Sequence, residues 1–317
     1  VTGAPAGPGQ ARPAARRVAV LGATGCVGRQ VCAAFARRGA DVLAIARHPA
    51  PHAARHPFLP LDVAAADPAE TARILRAARV DTVVNATGGW GSTQEEMAYA
   101  HVRLVRRLVA ALALLAHRPR LVQVGSVHEY GPVAPGTLIT ETTPARPSGD
   151  YGRTKLAGAR AVLAAAHAGD VDGVVLRVVN VCGPHPPPAS FLGALLRRLR
   201  AAAPGDDLTV SVADARRDYV DVRDVAEAVL LAATAPATGR IVNVGRGEAT
   251  EVRELVRLLL AAAGRPAGLV REDAGEVASK GGDWTRADIR LARDLLGWRP
   301  RVDLPGSIRD MWAASAP

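Results

Sequence analysis

The chain has 317 residues, 49% hydrophobic and 22% charged, which is enough apolar material for a packed core and gives no compositional basis for disorder. No stretch of about 18 consecutive apolar residues occurs, so a transmembrane helix is not expected. The formal net charge of +10 could serve nucleic acid, but the arginines are scattered and only three Phe and four Tyr could stack on bases. A nucleic-acid partner is therefore not expected, and an anionic small substrate fits the charge equally well.

Residues 1–16 are rich in Ala, Pro, Gly and Arg with no apolar segment, which predicts a disordered leader rather than a secretory signal, with the fold starting at Arg17. Val18–Leu21 reads as the first strand. Gly22-Ala-Thr24-Gly25-Cys26-Val27-Gly28 follows it directly and opens a helix running to Arg38. Glycines there permit a tight turn and let backbone N–H groups approach a pyrophosphate on the helix N-terminus. Among 31 glycines the bare spacing is weak; its place between a first strand and a first helix is what points to a dinucleotide.

The second strand, Val42–Ala46, ends on Ile45-Ala46-Arg47-His48, where an NAD site usually carries a carboxylate for the ribose 2′-hydroxyl. Arg47 either pairs with a 2′-phosphate, which favours NADP, or is one more surface arginine. Asp62, beside Val63 after the next short strand, either accepts from the adenine amino group or is an ordinary turn aspartate. Thr82–Asn85 reads as the third main strand. Met97, His101, Leu104, Val105, Leu108, Leu112 and Leu115 then recur at three- and four-residue intervals and predict one long central helix.

Leu121–Val124 is a fourth strand, and Ser126 lies just beyond its carboxyl end, where an open α/β sheet has its crevice. Tyr151-Gly-Arg-Thr-Lys155 places a phenol and an ammonium on one helix face. Four tyrosines and two lysines make this spacing only about 3% probable by accident. An ammonium near a phenol is expected to lower its pKa and make it a usable acid/base, and Lys155 could also hold the nicotinamide ribose. Val174–Val178 completes the predicted sheet.

Beyond residue 180 come prolines between Pro184 and Pro188, a helix around Phe191–Ala202, and strands at Leu208–Val212 and Ile241–Val244. Asp221 and Thr250 read as N-caps of the two following helices, the second closing at Gly264. Three cysteines, Cys26, Cys32 and Cys182, are an odd count without metal-type spacing. They argue against disulfides and a metal site and for a reducing cytoplasm. Cys182 is expected to be a buried, inert thiol.

Several motifs occur in order: the glycine turn, Asn85-Ala86-Thr87-Gly88, Ser126 with Tyr130-Gly131, Tyr151-x-x-x-Lys155, Arg177-Val-Val-Asn180-Val-Cys-Gly-Pro184, Arg217-Asp-Tyr-Val-Asp221 and Leu296-Gly-Trp298. Together they resemble the extended short-chain dehydrogenase/reductases, the sugar-nucleotide epimerase, dehydratase and reductase group, over residues 17 to about 312. The resemblance implies Ser126, Tyr151 and Lys155 as catalytic residues and Ala86, Thr87 and Gly88 as further cofactor contacts. It also implies Asn180 and Arg217 near the substrate diphosphate; their bland readings are a turn-stabilising Asx and a salt bridge with a neighbour such as Asp218.

Members that eliminate water carry Asp-Glu after the catalytic hydroxyl residue, whereas Val127-His128 follow Ser126 and Glu129 is the nearest acid. Ser126 to Gly131 and the Trp90-Gly-Ser-Thr-Gln loop look most like dTDP-4-keto-6-deoxyhexose 4-ketoreductases of deoxysugar and antibiotic pathways. Trp90 and His128 would then line the sugar pocket. The implied fold is α/β, a Rossmann doubly wound parallel sheet with a smaller mixed α/β substrate-binding domain. Residues 17–178 plus about 219–245 would form the NADP-binding domain, and about 179–218 plus 246–317 the substrate domain. The expected reaction consumes NADPH, in a homodimer paired through the Met97–Leu115 helix and the helix of Tyr151. An epimerase that retains NAD and a non-catalytic dinucleotide sensor are the alternatives.

Overall fold

The computed structural model describes residues 17–203, 208–272 and 282–315. The leader expected over residues 1–16 lies outside the described residues, as does Lys280. Its first half alternates strands and helices: β1 (Arg17–Leu21), α1 (Cys26–Arg37), β2 (Asp41–Ala46), β3 (Phe58–Pro60), α2 (Pro68–Ala77) and β4 (Thr82–Asn85). There follow α3 (Gln94–Ala98), a π-helical turn (Tyr99–Arg103), α4 (Leu104–Ala113), β5 (Arg120–Ser126), α5 (Asp150–His167) and β6 (Asp172–Val178). The second half comprises β7 (Asn180–Cys182), α6 (Phe191–Ala201), β8 (Leu208–Val210), β9 (Arg216–Arg217), β10 (Tyr219–Asp221) and α7 (Val222–Ala232). It ends with β11 (Ile241–Val244), β12 (Thr250–Glu251), α8 (Val252–Ala262), β13 (Val270–Glu272), α9 (Arg290–Leu296) and α10 (Leu304–Ala313).

Seven strands form one parallel sheet in the order β3-β2-β1-β4-β5-β6-β11. This is the doubly wound arrangement, with helices on both faces. The alternation of side chains along β1 shows why both faces need cover. Val18 and Val20 pack with Val31 and Phe35 of α1 and Val225 and Val229 of α7, whereas Ala19 and Leu21 pack with Leu75 of α2, Leu108 and Leu112 of α4 and Val162 of α5. A third apolar cluster lies in the smaller lobe, built from Leu195 and Leu199 of α6, Leu255 and Leu259 of α8, and Ile308 and Met311 of α10. Ala287, Ala292, Leu296 and Trp298 belong instead with the sheet's α1/α7 side, and the Trp298 indole donates to the Asp224 carbonyl at 2.9 Å. No helix among the described residues is long and apolar enough to cross a membrane.

Three local expectations change. The predicted Met97–Leu115 helix is two α-helices joined by the π turn, with Leu115 just past its end, because a wide turn admits an extra residue that a 3.6-residue period does not register. Thr250 does not cap the second helix: it lies in β12, paired with Arg217, and Glu251 stands at the N-cap with its side chain turned to Arg216 rather than to the helix N–H groups. The strand expected over Leu208–Val212 ends at Val210. Asp221 does cap α7, accepting from the Arg223 N–H at 2.7 Å.

Arg120 opens β5 in full burial and ties the sheet to α7. Its guanidinium donates to the carbonyls of Ala232 at 3.1 Å and Ala235 at 2.6 Å, to Thr238 at 2.9 Å, and to the Asp172 carboxylate. Arg120→Leu strands the carboxylate and the carbonyls at the end of α7, and is expected to destabilise the fold by about 3–5 kcal/mol. A drop in the urea midpoint measures this; an unchanged midpoint means the network contributes nothing net.

Candidate active site

A cleft of about 1250 Å3 opens at the carboxyl ends of β1, β2, β4 and β5. The turn after β1 forms its floor. Gly22 has φ +75°, and a Cβ there would lie 2.9 Å from the Ala86 backbone; a Cβ on Gly28 would lie 2.1 Å from the Gly22 carbonyl oxygen. Only glycine lets these backbones touch. Gly25 caps α1 with no side-chain bond, and the first turn of the helix carries no acid, so its N–H groups suit an anion. A dinucleotide pyrophosphate fits this cradle.

Gly22, Thr24, Gly25, Cys26, Val27, Arg47, Asp62, Val63, Ala86, Thr87 and Gly88 all line the cleft; Gly28 lies beneath it, wedged on Gly22. Arg47 is exposed at the end of β2 on the cleft rim. Both oxygens of Asp62 have partners within the chain, the Ala64 N–H at 3.0 Å and the Tyr99 hydroxyl at 3.0 Å. Burial pushes the Cys26 thiol up to about 11 and the Cys182 thiol up to about 12, so both are inert.

Ser126, Tyr151 and Lys155 come together on the same cleft from β5 and α5. The Tyr151 ring stacks on Trp90, centroids 4.1 Å apart and planes 13° off parallel, and meets the edges of His101 at 5.3 Å and His128 at 5.6 Å. The expected lowering of the Tyr151 pKa is not found. Burial pushes the phenol up to about 12, opposed by a hydrogen bond with Ser126 and reinforced by the charge of Glu129. The Lys155 ammonium is itself buried, donates to the Val124 carbonyl at 2.8 Å, and is lowered to about 8 by its own desolvation. The spacing put the two groups on one face correctly, but not the dielectric around them.

Of the residues expected near a substrate, Trp90 lies over Tyr151 while 54% exposed, and His128 flanks both rings. Arg217 acts on His128 electrostatically and donates to the Gly282 carbonyl at 3.2 Å. The Asn180 side chain donates to the Asp218 carbonyl at 3.1 Å, across the β7–β10 pairing, and neither Asn180 nor Arg217 reaches the cleft wall. Burial and the nearby Arg217 push the His128 imidazole down to about 4.

Two features escaped the sequence. His101, counted as one member of an apolar helix face, sits buried in the π turn beside Thr154 at 2.8 Å and the Gly89 carbonyl at 3.2 Å. Burial and the Lys155 charge push it down to about 4. Gly88, at φ +106°, is required because a Cβ would lie 2.7 Å from the His101 ring. Glu129 and Arg177 form a buried ion pair at 2.7 Å under the Ser126 loop. A histidine interrupting an apolar stripe was a signal for the first; nothing local signals a pair 48 residues apart.

A doubly wound sheet, a glycine turn under a deep cleft, and Ser, Tyr and Lys side chains converging on that cleft define an NAD(P)-linked oxidoreductase. The chain belongs to the NAD dependent epimerase/dehydratase family, whose model matches residues 18–245, within the extended short-chain dehydrogenase/reductases. Its relatives include the dTDP-6-deoxy-L-talose 4-dehydrogenase (NAD(P)(+)) of Kitasatospora kifunensis, 42% identical over 304 residues that cover 95% of this chain and 96% of that protein. A UDP-glucose 4-epimerase of Corynebacterium glutamicum is 30% identical over 242 residues, 70% of this chain and 71% of that protein. Among solved structures, MoeE5 in complex with UDP-glucose and NAD superposes with a TM-score of 0.81 at 26% identity, covering 94% of this chain and 98% of that one.

Proposed function

We propose that the protein modifies a sugar nucleotide by reducing the C4 ketone of a dTDP-4-keto-6-deoxyhexose with NADPH. The observation that carries this reading is the convergence of Ser126, Tyr151 and Lys155 at one cleft. Support comes from the 42% identical relative, named as a 4-dehydrogenase of a dTDP-6-deoxyhexose, since an enzyme that oxidises C4 also catalyses the reverse reduction.

When bound, the dinucleotide supplies the hydride. Tyr151 donates its proton to the carbonyl oxygen as that oxygen gains charge, and Ser126 hydrogen-bonds the same oxygen. Lys155, anchored on Val124, contributes a nearby ammonium and can hold the ribose. Trp90 and His128 are assigned to the sugar and Arg47 to the 2′-phosphate of the cofactor; Asn180 and Arg217, set back from the cleft wall, are assigned to the diphosphate side of the substrate. Residues 17–178 with 219–245 act as the cofactor lobe and 179–218 with 246–317 as the substrate lobe, in a homodimer, except that Ala287, Ala292, Leu296 and Trp298 pack against the cofactor lobe's sheet. Glu129, buried against Arg177, is not available for the elimination of water that a 4,6-dehydratase performs.

Loss of reduced-nicotinamide absorbance on mixing protein, excess NADPH and dTDP-4-keto-6-deoxyglucose tests the reaction, with NADH in parallel. Steady loss, faster with NADPH, is expected. Arg47→Ala should cut the NADPH preference roughly tenfold to a hundredfold, the worth of one or two charge-assisted hydrogen bonds. Equal rates with both cofactors in the parent protein remove Arg47 as the phosphate reader. Conversion of a UDP-hexose to its 4-epimer with no net cofactor loss would support the epimerase reading that the 30% identical relative favours.

A further inference from the structure

We infer that Glu129 is a positioning residue for the reaction: clamped by Arg177, its carboxylate fixes the Ser126 backbone at the end of β5 and holds a negative charge behind the Ser126 loop that acts on Tyr151 and Lys155. This rests on the reading of Tyr151 as the proton donor.

The geometry leaves the carboxylate no alternative place. Glu129 is fully buried; one oxygen accepts from the Ser126 N–H at 2.9 Å and the other from Arg177 at 2.7 Å. The Ser126 hydroxyl in turn accepts from the His128 N–H at 3.2 Å, so serine and glutamate close a reciprocal box at the end of β5. Gly125 makes room for it, since a Cβ there would lie 2.6 Å from the Glu129 oxygen and 3.1 Å from the Leu176 carbonyl. Behind it the Arg177 guanidinium lies 4.2 Å over the Tyr130 ring, whose hydroxyl donates to Asn243 at 2.7 Å.

Stability alone is a weak account of such a pair, because a buried ion pair can often be replaced by apolar residues without loss. What apolar residues could not supply is an acceptor for the Ser126 N–H and a fixed charge. The charge reaches both partners: it raises the proton affinity of Tyr151 and of Lys155, opposing the desolvation of the lysine. Other groups facing the pair are His101 from the π turn and His128 from the Ser126 loop, both pushed down to about 4 and so uncharged near neutrality. Asp150 and Arg153 pair with each other at 2.5 Å on the exposed start of α5. Arg217 acts on His128, and Glu141 on Tyr130 behind Arg177. Glu129 is thus the carboxylate that acts on both Tyr151 and Lys155.

The test is the pH profile of NADPH-driven reduction of dTDP-4-keto-6-deoxyglucose, with Tyr151→Phe run alongside. In Glu129→Gln the alkaline limb, where the donating pair loses its proton, should move down by about 1 pH unit, with kcat roughly tenfold lower and the KM for NADPH unchanged. Glu129→Asp keeps the charge but shortens the reach to Ser126, so its limb should stay while kcat falls. If Glu129→Gln does not fold, Glu129→Gln/Arg177→Gln removes the stranded guanidinium, and the limb should still move. A limb that stays in place in the folded glutamine variant overturns the inference, as does a limb that moves equally in Glu129→Asp. An active Tyr151→Phe overturns the proton-donor reading itself, whereas an inactive Tyr151→Phe with an unmoved Glu129→Gln limb overturns this inference alone.

Discussion

Tyr151→Phe is expected to lose turnover by more than about a hundredfold while binding NADPH as tightly as the parent protein. The substitution removes one hydroxyl and keeps the ring. The Trp90 stack and the edges of His101 and His128 should therefore hold it in place, and the glycine turn proposed to cradle the cofactor is untouched. What is lost is the phenolic proton beside Ser126. The phenol, pushed up to about 12, keeps that proton throughout the neutral range, which suits a donor in a reduction. Lys155, at about 8, sets the other boundary: the parent rate should fall as the pH rises through that value and the ammonium is lost. Steady-state rates together with a fluorescence titration of NADPH separate the two effects. Turnover within about tenfold of the parent removes Tyr151 from the chemistry.

Gly28→Ala should abolish tight dinucleotide binding. Its Cβ would stand 2.1 Å from the Gly22 carbonyl oxygen, 2.7 Å from the Gly22 carbonyl carbon and 3.0 Å from Ala23 Cα. Those atoms are backbone and cannot rotate away. Gly22 is held by its N–H on the Ile45 carbonyl at 2.9 Å and by its closeness to Ala86, so the strain must open the turn or lift α1. Overpacking of this kind costs about 2–3 kcal/mol, which is roughly a hundredfold in affinity if it falls on the bound state. Titration of NADPH and a thermal melt read it, with Gly149→Ala as control, since a Cβ at that helix cap meets nothing within 4 Å. Unchanged affinity would mean that the cradle binds through other parts of the cleft.

The signals that carried the sequence reading share one property: each is local. Val18–Leu21 followed by the glycine turn through Gly28 needs only eleven consecutive residues to be recognised, and Tyr151 and Lys155 are one helical turn apart. Strand ends shifted by only one or two residues in most cases, because an apolar run marks only the apolar part of a strand while pairing extends past it into polar residues. β5 runs from Arg120 to Ser126, and both ends are polar. The small pairings β9–β12 and β8–β13 were not legible, being two or three residues long with no pattern of their own.

By itself, then, the sequence determined the alternation of strands and helices, the glycine cradle and the identity of the Ser, Tyr and Lys cluster, since hydrophobic period, backbone freedom and helical spacing all act within a few residues. Tertiary structure decided how these groups are charged and held. Lys155 bonds to Val124 on a strand 31 residues away, Glu129 to Arg177 across 48 residues, and Arg120 to the end of α7 across more than 100. It also packed the half-buried Tyr151 among Trp90, His101 and His128, and the desolvation reversed the direction of its expected pKa shift. Desolvation and ion pairing depend on which surfaces meet in the folded chain, and no spacing along the chain specifies that.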